Sequence, residues 1–224
     1  MNKKILFLIG SPKLDKESAS AAIGMQFIKA LHGKSLEFEV DKINIIHLMS
    51  KGSCEKILLG AINKSDIIIF ISPLYLDTVP ASVTKAMEFL SGNKYLMNGR
   101  KKMIAISVCG YPEASHNDTA LRIYRCFADG MGFTWLGCLA IGEGPAYIYA
   151  RQIFSLLGVY RRLKKAISLV VQSLLEEKMV PKEAAELAKI SAIPNGLYIS
   201  VGTLIMAILA LKDGVWNLYK RPYV

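Results

Sequence analysis

Five stretches of the chain are apolar enough to form strands of a buried sheet. Residues 5–9 and 67–71 are continuous apolar runs, which are typical of parallel strands that helices cover on both faces. Three further strands are predicted within residues 36–46, 102–108 and 133–141. The pattern therefore predicts a sheet whose strands are distributed over most of the chain.

Helices are predicted between the strands, because apolar residues there recur every three or four positions. Ile23, Phe27 and Leu31 form one such series. Strands and helices alternate to about residue 178, which predicts a parallel sheet with helices on both faces. Five strands joined by right-handed crossovers fit the order 2-1-3-4-5. We therefore predict a doubly wound α/β domain over residues 1–178.

The predicted strand order also predicts where a ligand binds. The chain leaves the first and third strands in opposite directions, and ligands bind outside the carboxyl ends of the strands at such a switch point. The loops that follow Ile9 and Ile71 are therefore the first candidates for a binding site.

Residues 179–224 are predicted to form an apolar helical extension. No charged residue occurs from Ile190 to Leu211, but the densest apolar part, residues 197–211, is shorter than the roughly 20 residues of a typical spanning helix. Three interpretations are open. The extension packs on the domain or across a homodimer, anchors the protein to a membrane through residues 190–211, or covers the binding site.

The chain is strongly basic, with a formal net charge of +10 and a pI near 9.4. Such an excess favours anionic ligands, such as phosphates, nucleotides or acidic lipid surfaces. Its densest cluster, Arg161-Arg162-Leu163-Lys164-Lys165, is expected to be a solvated helix face. A nucleic-acid partner is not expected, because no aromatic–basic interleaving or recognisable binding module accompanies the charge.

The four cysteines, Cys54, Cys109, Cys126 and Cys138, include no C-x-x-C pair, so no metal site is expected. They are also too few to be a disulfide framework at this length, which favours reduced thiols. The apolar run at residues 5–9 is too short for the core of a signal peptide. We therefore predict a cytoplasmic location, with membrane association as the alternative.

The loop over residues 10–20 joins a buried strand to a helix and is rich in hydroxyl groups. A helix N-terminus offers unpaired N–H groups and a partial positive charge, both of which favour phosphate. Ser11, Ser18 and Ser20 add hydroxyl donors, and Lys13 adds a positive charge. The sequence is neither a Walker A loop nor a G-x-G-x-x-G fingerprint. It is either a phosphate-binding loop or an ordinary capped start of a helix.

A tyrosine and two prolines follow the third strand, within residues 72–80. Pro73 is expected to stiffen the backbone, so that Leu74 and Tyr75 present main-chain N–H groups and an apolar face to a flat ring. An ordinary packed tyrosine is the alternative. In the loop after the fourth strand, Gly110 permits close approach of the backbone to a ligand.

Two of these motifs together resemble a known family. Gly-Ser-Pro-Lys follows the first strand, and Ser-Pro-x-Tyr-x-x-x-x-Pro follows the third. In this combination, residues 3–178 resemble the NAD(P)H-dependent FMN reductases of the flavodoxin-like superfamily. The chain departs from the family at Ala19, where asparagine is frequent, and it lacks the cysteine cluster of the related iron–sulfur flavoproteins. The resemblance implies a flavodoxin-like fold.

The resemblance also implies an FMN site built from three loops. The first loop binds the phosphate, the second lines the ribityl chain and the isoalloxazine, and the third touches the ring. The residues that match these roles are Ser11, Lys13, Ser18, Ala19 and Ser20 in the first loop, Pro73, Leu74, Tyr75 and Asp77 in the second, and Gly110 and Tyr111 in the third.

The activity implied by the resemblance passes electrons from NAD(P)H through FMN to a small acceptor, such as a quinone, a flavin or a nitro compound. It requires no catalytic side chain, and His116 is either a proton donor to the product or a solvent-exposed loop residue. A flavodoxin-type electron carrier and a flavin-free scaffold are the alternatives. Carriers are usually acidic, so the basic charge favours the enzyme. The family's C-terminal extensions imply a homodimer.

Overall fold

The computed structural model describes residues 3–13, 17–34, 38–46, 54–149, 159–191 and 193–215. Within them all neighbouring strands of one sheet run parallel, in the order β2-β1-β3-β4-β5. The strands are β1 (Lys3–Ile9), β2 (Phe38–Asn44), β3 (Ile67–Pro73), β4 (Lys102–Val108) and β5 (Thr134–Ile141). The predicted α/β class and strand order are confirmed.

Helices follow the strands and cover both faces of the sheet. They are α1 (Ala19–Lys34), α2 (Cys54–Lys64), α3 (Ala81–Gly92), α4 (Asp118–Met131), α5 (Gly144–Tyr149), α6 (Val159–Leu175), α7 (Lys182–Lys189) and α8 (Asn195–Lys212). Short 3-10 helices lie at Lys94–Leu96 and Ala114–Asn117. The predicted helical stretch up to residue 178 is seen as α5 and α6, and residues 150–158 lie outside the described residues.

The core has two layers, one on each face of the sheet. In β1, Ile5, Phe7 and Ile9 face the layer that contains α1, α6 and α7. Leu6 and Leu8 alternate with them and face the layer that contains α2, α3 and α4. All five side chains are buried. A strand covered on both faces therefore needs a continuous apolar run rather than an alternating one.

The basic cluster of the sequence lies on the outer face of α6. Arg161, Arg162, Lys164 and Lys165 are exposed, whereas Leu163 between them is buried in the core. The expectation of a solvated helix face is therefore confirmed for these residues.

The C-terminal extension divides into two helices with different surroundings. α7 packs on the domain, because Ala184 and Ala188 are buried in the same core layer as α1. α8, in contrast, has no buried residue along its 18 residues. It is long and apolar enough to cross a membrane. The division of the chain at residue 178 stays a prediction.

Candidate functional site

The carboxyl ends of β1 and β3 lie side by side at the switch point of the sheet. Gly10, the first residue after β1, donates its N–H to the carbonyl oxygen of Ile71 at 2.8 Å. A Cβ on Gly10 would lie 2.4 Å from Val83 Cγ2 and 2.9 Å from Ser72 Cβ. Glycine is required here, because β3 and α3 approach the backbone too closely for a side chain. The first and second candidate loops therefore begin at adjacent points.

Three hydroxyl side chains of the first loop are buried, and they differ in their partners. Ser11 Oγ accepts a hydrogen bond from the N–H of Lys13 at 3.2 Å. Ser18 Oγ accepts one from the N–H of Ala21 at 3.1 Å, which makes Ser18 the N-cap of α1. Ser20 Oγ has no hydrogen-bond partner among the described residues.

The charges around the start of α1 favour an anion. The first N–H groups of a helix have no partner within the helix, and they carry a partial positive charge. The first turn of α1 contains no acidic side chain that would neutralise it. Lys13 and Glu17 are both exposed, and Asp15 lies outside the described residues.

The first turn of α1 also meets the loops after β4 and β5. The N–H of Gly144 donates to the carbonyl oxygen of Cys109 at 2.8 Å. A Cβ on Gly144 would lie 3.0 Å from that oxygen and 3.5 Å from Ala19 Cβ. The small residues Ala19 and Gly144 therefore let the first and third candidate loops come together.

The second loop contains a tight turn that the sequence did not predict. Tyr75 and Thr78 exchange two backbone hydrogen bonds, each 3.0 Å long. The two residues between them, Leu76 and Asp77, have φ values of 49° and 59°. Both lie in the left-handed region, as the central residues of a type I′ turn do; aspartate tolerates this backbone, whereas for leucine it is strained.

This turn changes which main-chain groups of the second loop are available. We expected Leu74 and Tyr75 to present their N–H groups to a ligand, and that prediction is wrong. The N–H of Leu74 donates to Val108 at 2.9 Å and continues the β3–β4 ladder, while the N–H of Tyr75 closes the turn. Among the described residues, the N–H groups of Leu76 and Asp77 stay without a partner.

Exposed apolar and aromatic side chains occur on the same loop as the N–H groups of Leu76 and Asp77 and on the neighbouring third loop. Tyr75 is 41% exposed, Leu76 is 99% exposed and Tyr111 of the third loop is 60% exposed. A flat aromatic ligand that covered such side chains would remove apolar surface from water.

His116 connects the second and third loops. Its ring lies over that of Tyr111, with centroids 4.6 Å apart and planes 36° apart. Its Nδ1 lies 3.9 Å from Asp77 Oδ1. His116 is therefore a half-exposed link between two predicted site residues, and not an isolated loop histidine.

Buried hydrogen bonds fix the second and third loops on the core side of the candidate site. Tyr124 Oη donates to Ser72 Oγ at 2.8 Å, and burial raises the pKa of Tyr124. Cys109 Sγ donates to the carbonyl oxygens of Tyr111 at 3.4 Å and Glu113 at 3.6 Å. Burial raises the pKa of Cys109 too, which keeps the thiol protonated and able to donate.

A buried carboxylate in the loop after β5 is a residue that sequence reasoning missed. Glu143 is 1% exposed, and its Oε1 accepts hydrogen bonds from Ser191 Oγ at 2.6 Å and from the N–H of Ile193 at 3.2 Å. Its own N–H donates to the carbonyl oxygen of Tyr111 at 2.8 Å. Glu143 therefore joins the third candidate loop to the segment that leads into α8.

The first turn of α8 also contacts the third loop. Tyr198 Oη donates to the carbonyl oxygen of Gly110 at 2.8 Å. Asn195 Nδ2 donates to Glu113 Oε1 at 2.8 Å. The apolar helix thus begins beside the candidate site.

All the residues predicted for the site lie at one edge of the sheet, on three loops that contact each other. The arrangement is open. A cavity of about 490 Å³, between α4, β5 and α7, is lined by Trp135, Cys138 and Lys189 among others, and none of the predicted residues lines it. A ligand of the three loops would therefore bind on the edge rather than in that cavity.

Comparisons with known proteins identify the fold. No protein-family model matches the chain, and no curated protein sequence matches it. Among solved structures, an NADH:FMN oxidoreductase in its apo form has 18% identity and a TM-score of 0.54, over 87% of this chain and 98% of its own. A putative quinone reductase from Klebsiella pneumoniae has 14% identity and a TM-score of 0.56, over 80% of this chain and 87% of its own.

A third similar structure contains a bound cofactor. It is an FMN-dependent NADH-azoreductase from Bacillus anthracis in complex with FMN, with 13% identity and a TM-score of 0.53, over 75% of this chain and 99% of its own. At such identities the similarity is one of fold. It confirms the flavodoxin-like architecture predicted from the strand order and the two motifs.

Proposed function

We propose that this chain is an FMN-dependent NAD(P)H oxidoreductase that reduces a small acceptor. The observation that carries the proposal is the hydroxyl of Ser20, which is buried without a partner among the described residues. It lies in the first turn of a helix at the switch point of a doubly wound sheet. A phosphate at this helix start would supply the acceptor that the hydroxyl lacks.

The first loop supports this role at each predicted position. Ser11 and Ser18 are buried and shape the backbone through their own hydrogen bonds. Ala19 and Ser20 bring first-turn N–H groups, and the exposed side chain of Lys13 brings a positive charge. Among the three serines of this loop, only Ser20 has a hydroxyl without a partner in the part of the chain that the structure describes.

The second and third loops fit the ring end of the same cofactor. We assign the apolar faces to Tyr75 and Tyr111, which are both well exposed. The unpartnered N–H groups of Leu76 and Asp77 are donors for polar edges of the ring. The remaining predicted residues, Pro73, Leu74 and Gly110, set the course of the backbone beside it.

FMN, when bound, supplies the capacity to accept a hydride and to release electrons to an acceptor. The protein's part is to hold and orient the cofactor. The exposure of Tyr75, Leu76 and Tyr111 leaves one open side through which a nicotinamide and then a small acceptor can approach in turn. His116, in contact with Tyr111, is half-exposed beside this opening.

The similar structures support the proposal, since one is named an FMN-dependent NADH-azoreductase, one an NADH:FMN oxidoreductase and one a putative quinone reductase. We propose a quinone, a flavin or a nitro compound as the acceptor class. The free thiols of Cys109, Cys126 and Cys138 fit the predicted cytoplasmic location. The predicted homodimer remains part of the proposal.

A flavin titration followed by reduction tests the proposal. Purified protein is mixed with FMN, freed of unbound flavin, and then mixed with NADH or NADPH without oxygen while the flavin absorbance is recorded. Rapid bleaching is expected. Bound flavin that no nicotinamide bleaches would instead indicate an electron carrier, and failure to bind FMN would leave only a flavin-free scaffold.

A pair of tyrosine variants locates the ring within this test. Tyr111→Ser removes an exposed aromatic side chain at the candidate site, and Tyr95→Ser makes the same change at an exposed tyrosine near the opposite edge of the sheet. Loss of ring stacking is expected to weaken FMN binding about tenfold in the first variant only. Equal affinities in the two variants would contradict the assigned ring position.

A further inference from the structure

The helix α8 is chemically unlike any other helix that the structure describes. It runs for 18 residues, Asn195–Lys212, without a buried residue. Its sequence has no charged residue before Lys212. A core helix of a soluble domain passes the same tests of length and composition, but such a helix is mostly buried, whereas none of α8 is. Something outside the described residues is therefore needed to cover it.

No side of α8 carries a charged residue before Lys212. Leu204, Ile205 and Met206 are consecutive, and they are 61%, 51% and 67% exposed. Successive residues of an α-helix point about 100° apart, so these three side chains span about 200° of the helix. The remaining side carries small uncharged residues, Thr203, Ala207 and Ala210, none of which is buried. A helix that meets one partner helix has a single apolar stripe, and a helix at a membrane surface has a charged face. α8 has neither a single apolar stripe nor a charged face, which favours an apolar environment on all of its sides.

The dimensions of α8 match the interior of a bilayer. Its 18 residues give about 27 Å of helix at 1.5 Å per residue, close to the roughly 30 Å of a hydrocarbon core. Tyr198 lies one turn from its start, and in the sequence Trp216 and Tyr219 follow its end. Tyrosine and tryptophan are the residues that favour the two interfaces between lipid and water.

Positive charge lies at the base of the helix. Arg161 and Arg162 are exposed on α6, and Arg162 Nη1 lies 3.4 Å from the carbonyl oxygen of Ser191, four residues before α8 begins. Lys189 at the end of α7 is exposed as well. Anionic headgroups would be attracted by these cations and by the net charge of +10.

We propose that α8 is inserted in a lipid bilayer, with the carboxyl edge of the sheet held at the membrane surface. The occupant of this apolar surface is therefore lipid and not a second copy of the chain. Leu76 and Tyr111, exposed at the same edge, then lie on the side of the domain from which α8 emerges. This inference does not depend on flavin binding.

Flotation with lipid vesicles tests the proposal on the full chain. Protein purified in detergent is reconstituted with vesicles of phosphatidylcholine alone or mixed with phosphatidylglycerol, and is then centrifuged through a density gradient. The chain is expected to float with both compositions and to resist extraction by high salt. Recovery of soluble protein at the bottom of the gradient would overturn the proposal.

Charged variants show whether α8 carries the attachment. Leu204→Arg with Ile208→Arg places two charges at the helix centre, and the membrane partition is expected to fall more than about a hundredfold. Ile57→Arg with Met179→Arg adds the same charge at exposed positions outside α8 and is expected to float normally. Circular dichroism confirms that both proteins are folded. Equal flotation of the two variants would contradict the role of α8.

A buried dimer contact is distinguished from lipid by fluorescence. In Ile205→Trp, the added tryptophan lies in the middle of α8, and its emission is expected to be quenched by phospholipids brominated on their acyl chains. Tryptophan in a protein–protein interface is shielded from such quenchers. An unquenched signal from the added tryptophan, together with a detergent-free dimer, would favour a second copy of the chain and overturn the proposal.

Discussion

At the amino edge of the sheet, polar groups meet partners supplied by the chain itself. The buried ammonium of Lys101 donates to the carbonyl oxygens of Asn63 at 2.9 Å and Ser65 at 2.7 Å, and burial lowers the pKa of Lys101. Nearby, Glu177 forms ion pairs with Lys3 and Lys102. The charges of these three lysines and of Glu177 are therefore all compensated, as buried and half-buried charges require.

The carboxyl edge of the same sheet is different. The hydroxyls of Ser20 and Ser107 are buried there without a partner among the described residues. Leu76 and Asp77 keep left-handed backbone conformations, and Leu76 is almost fully exposed. Unsatisfied hydroxyls, strained backbone and exposed apolar side chains each lower stability.

The difference agrees with the proposal that the carboxyl edge serves binding and the amino edge serves stability. Under that proposal, a bound ligand supplies the missing hydrogen-bond partners at the carboxyl edge and covers its exposed side chains. The amino edge needs no ligand. Substitutions at the two edges should therefore have opposite patterns of effect on stability and on affinity for FMN.

The largest effect is expected at Gly10, where a substitution should reduce both the stability and the affinity for FMN. In Gly10→Ala the added Cβ would lie 2.4 Å from Val83 Cγ2 and 2.9 Å from Ser72 Cβ. Overpacking of this kind is expected to lower the free energy of unfolding by about 3 kcal/mol and to abolish measurable FMN binding. Urea unfolding and flavin titration give the two quantities.

The matched control for this variant is Gly60→Ala, in the middle of α2. A Cβ there meets nothing within 4 Å, so the gain in helix propensity is expected to raise the free energy of unfolding by about 0.5–1 kcal/mol. If the two alanine variants were equally stable, the close approach of β1, β3 and α3 at the site would be wrong.

A pair of serine variants sharpens the comparison between the edges. Ser20→Ala removes an unpartnered hydroxyl, so FMN affinity is expected to fall about 10–100-fold while the free energy of unfolding stays equal or rises. Ser65→Ala, at the amino edge, removes a donor that lies 2.6 Å from the carbonyl oxygen of Ala61. It is expected to lower stability by about 1 kcal/mol and to leave affinity unchanged.

The result that contradicts this pair of predictions is a loss of stability in Ser20→Ala with unchanged affinity. Such a result would mean that the Ser20 hydroxyl serves the fold, as Ser65 does. Unfolding curves and titrations with FMN, run on both variants under the same conditions, separate the two cases.

The smallest effect concerns pH at the amino edge. Hydrogen bonds from Lys3 and Lys102 lower the pKa of Glu177 from its ordinary value of 4.5 to about 2. The stabilisation is therefore complete above the ordinary value and is lost as the pH falls toward 2. In Glu177→Gln, the number of protons taken up on unfolding is expected to be smaller by up to about one between pH 4.5 and pH 2. At neutral pH the number of protons taken up is expected to be the same in both proteins.

Melting temperatures of the two proteins across the acid range provide the measurement. The curves should be closest to parallel above pH 4.5, where Glu177 is ionised in both the folded and the unfolded state. Parallel curves down to pH 2 would show that the ion pairs with Lys3 and Lys102 do not persist in solution.

Most of the fold follows from sequence patterns that have few alternatives. The runs in β1 and β3 are apolar on both faces, which only a doubly covered parallel strand explains well, and the alternation with helices then limits the strand order. The strand order in turn predicts the place of the candidate site. The adjacent loops after Ile9 and Ile71 were therefore predictable without any knowledge of side-chain contacts.

The details of the site depend on contacts that no local pattern encodes. The turn at Leu76 and Asp77 has no glycine or asparagine to signal left-handed backbone, so the use of the Tyr75 N–H was not foreseen. Glu143 bonds to Ser191, which is 48 positions away in sequence. The exposure of α8 was equally hidden, since an apolar composition is the same for a buried helix and for an uncovered one.

Ser191 and Ile193 donate hydrogen bonds to Glu143, so the segment that leads into α8 is not a free linker. A flexible linker would let the domain take many orientations, whereas two hydrogen bonds to a buried side chain restrict the segment before α8. With α8 immersed in lipid, encounters with an acceptor dissolved in the same layer become a search in two dimensions. The orientation of the proposed reductase domain would then follow from the chain itself rather than from diffusion.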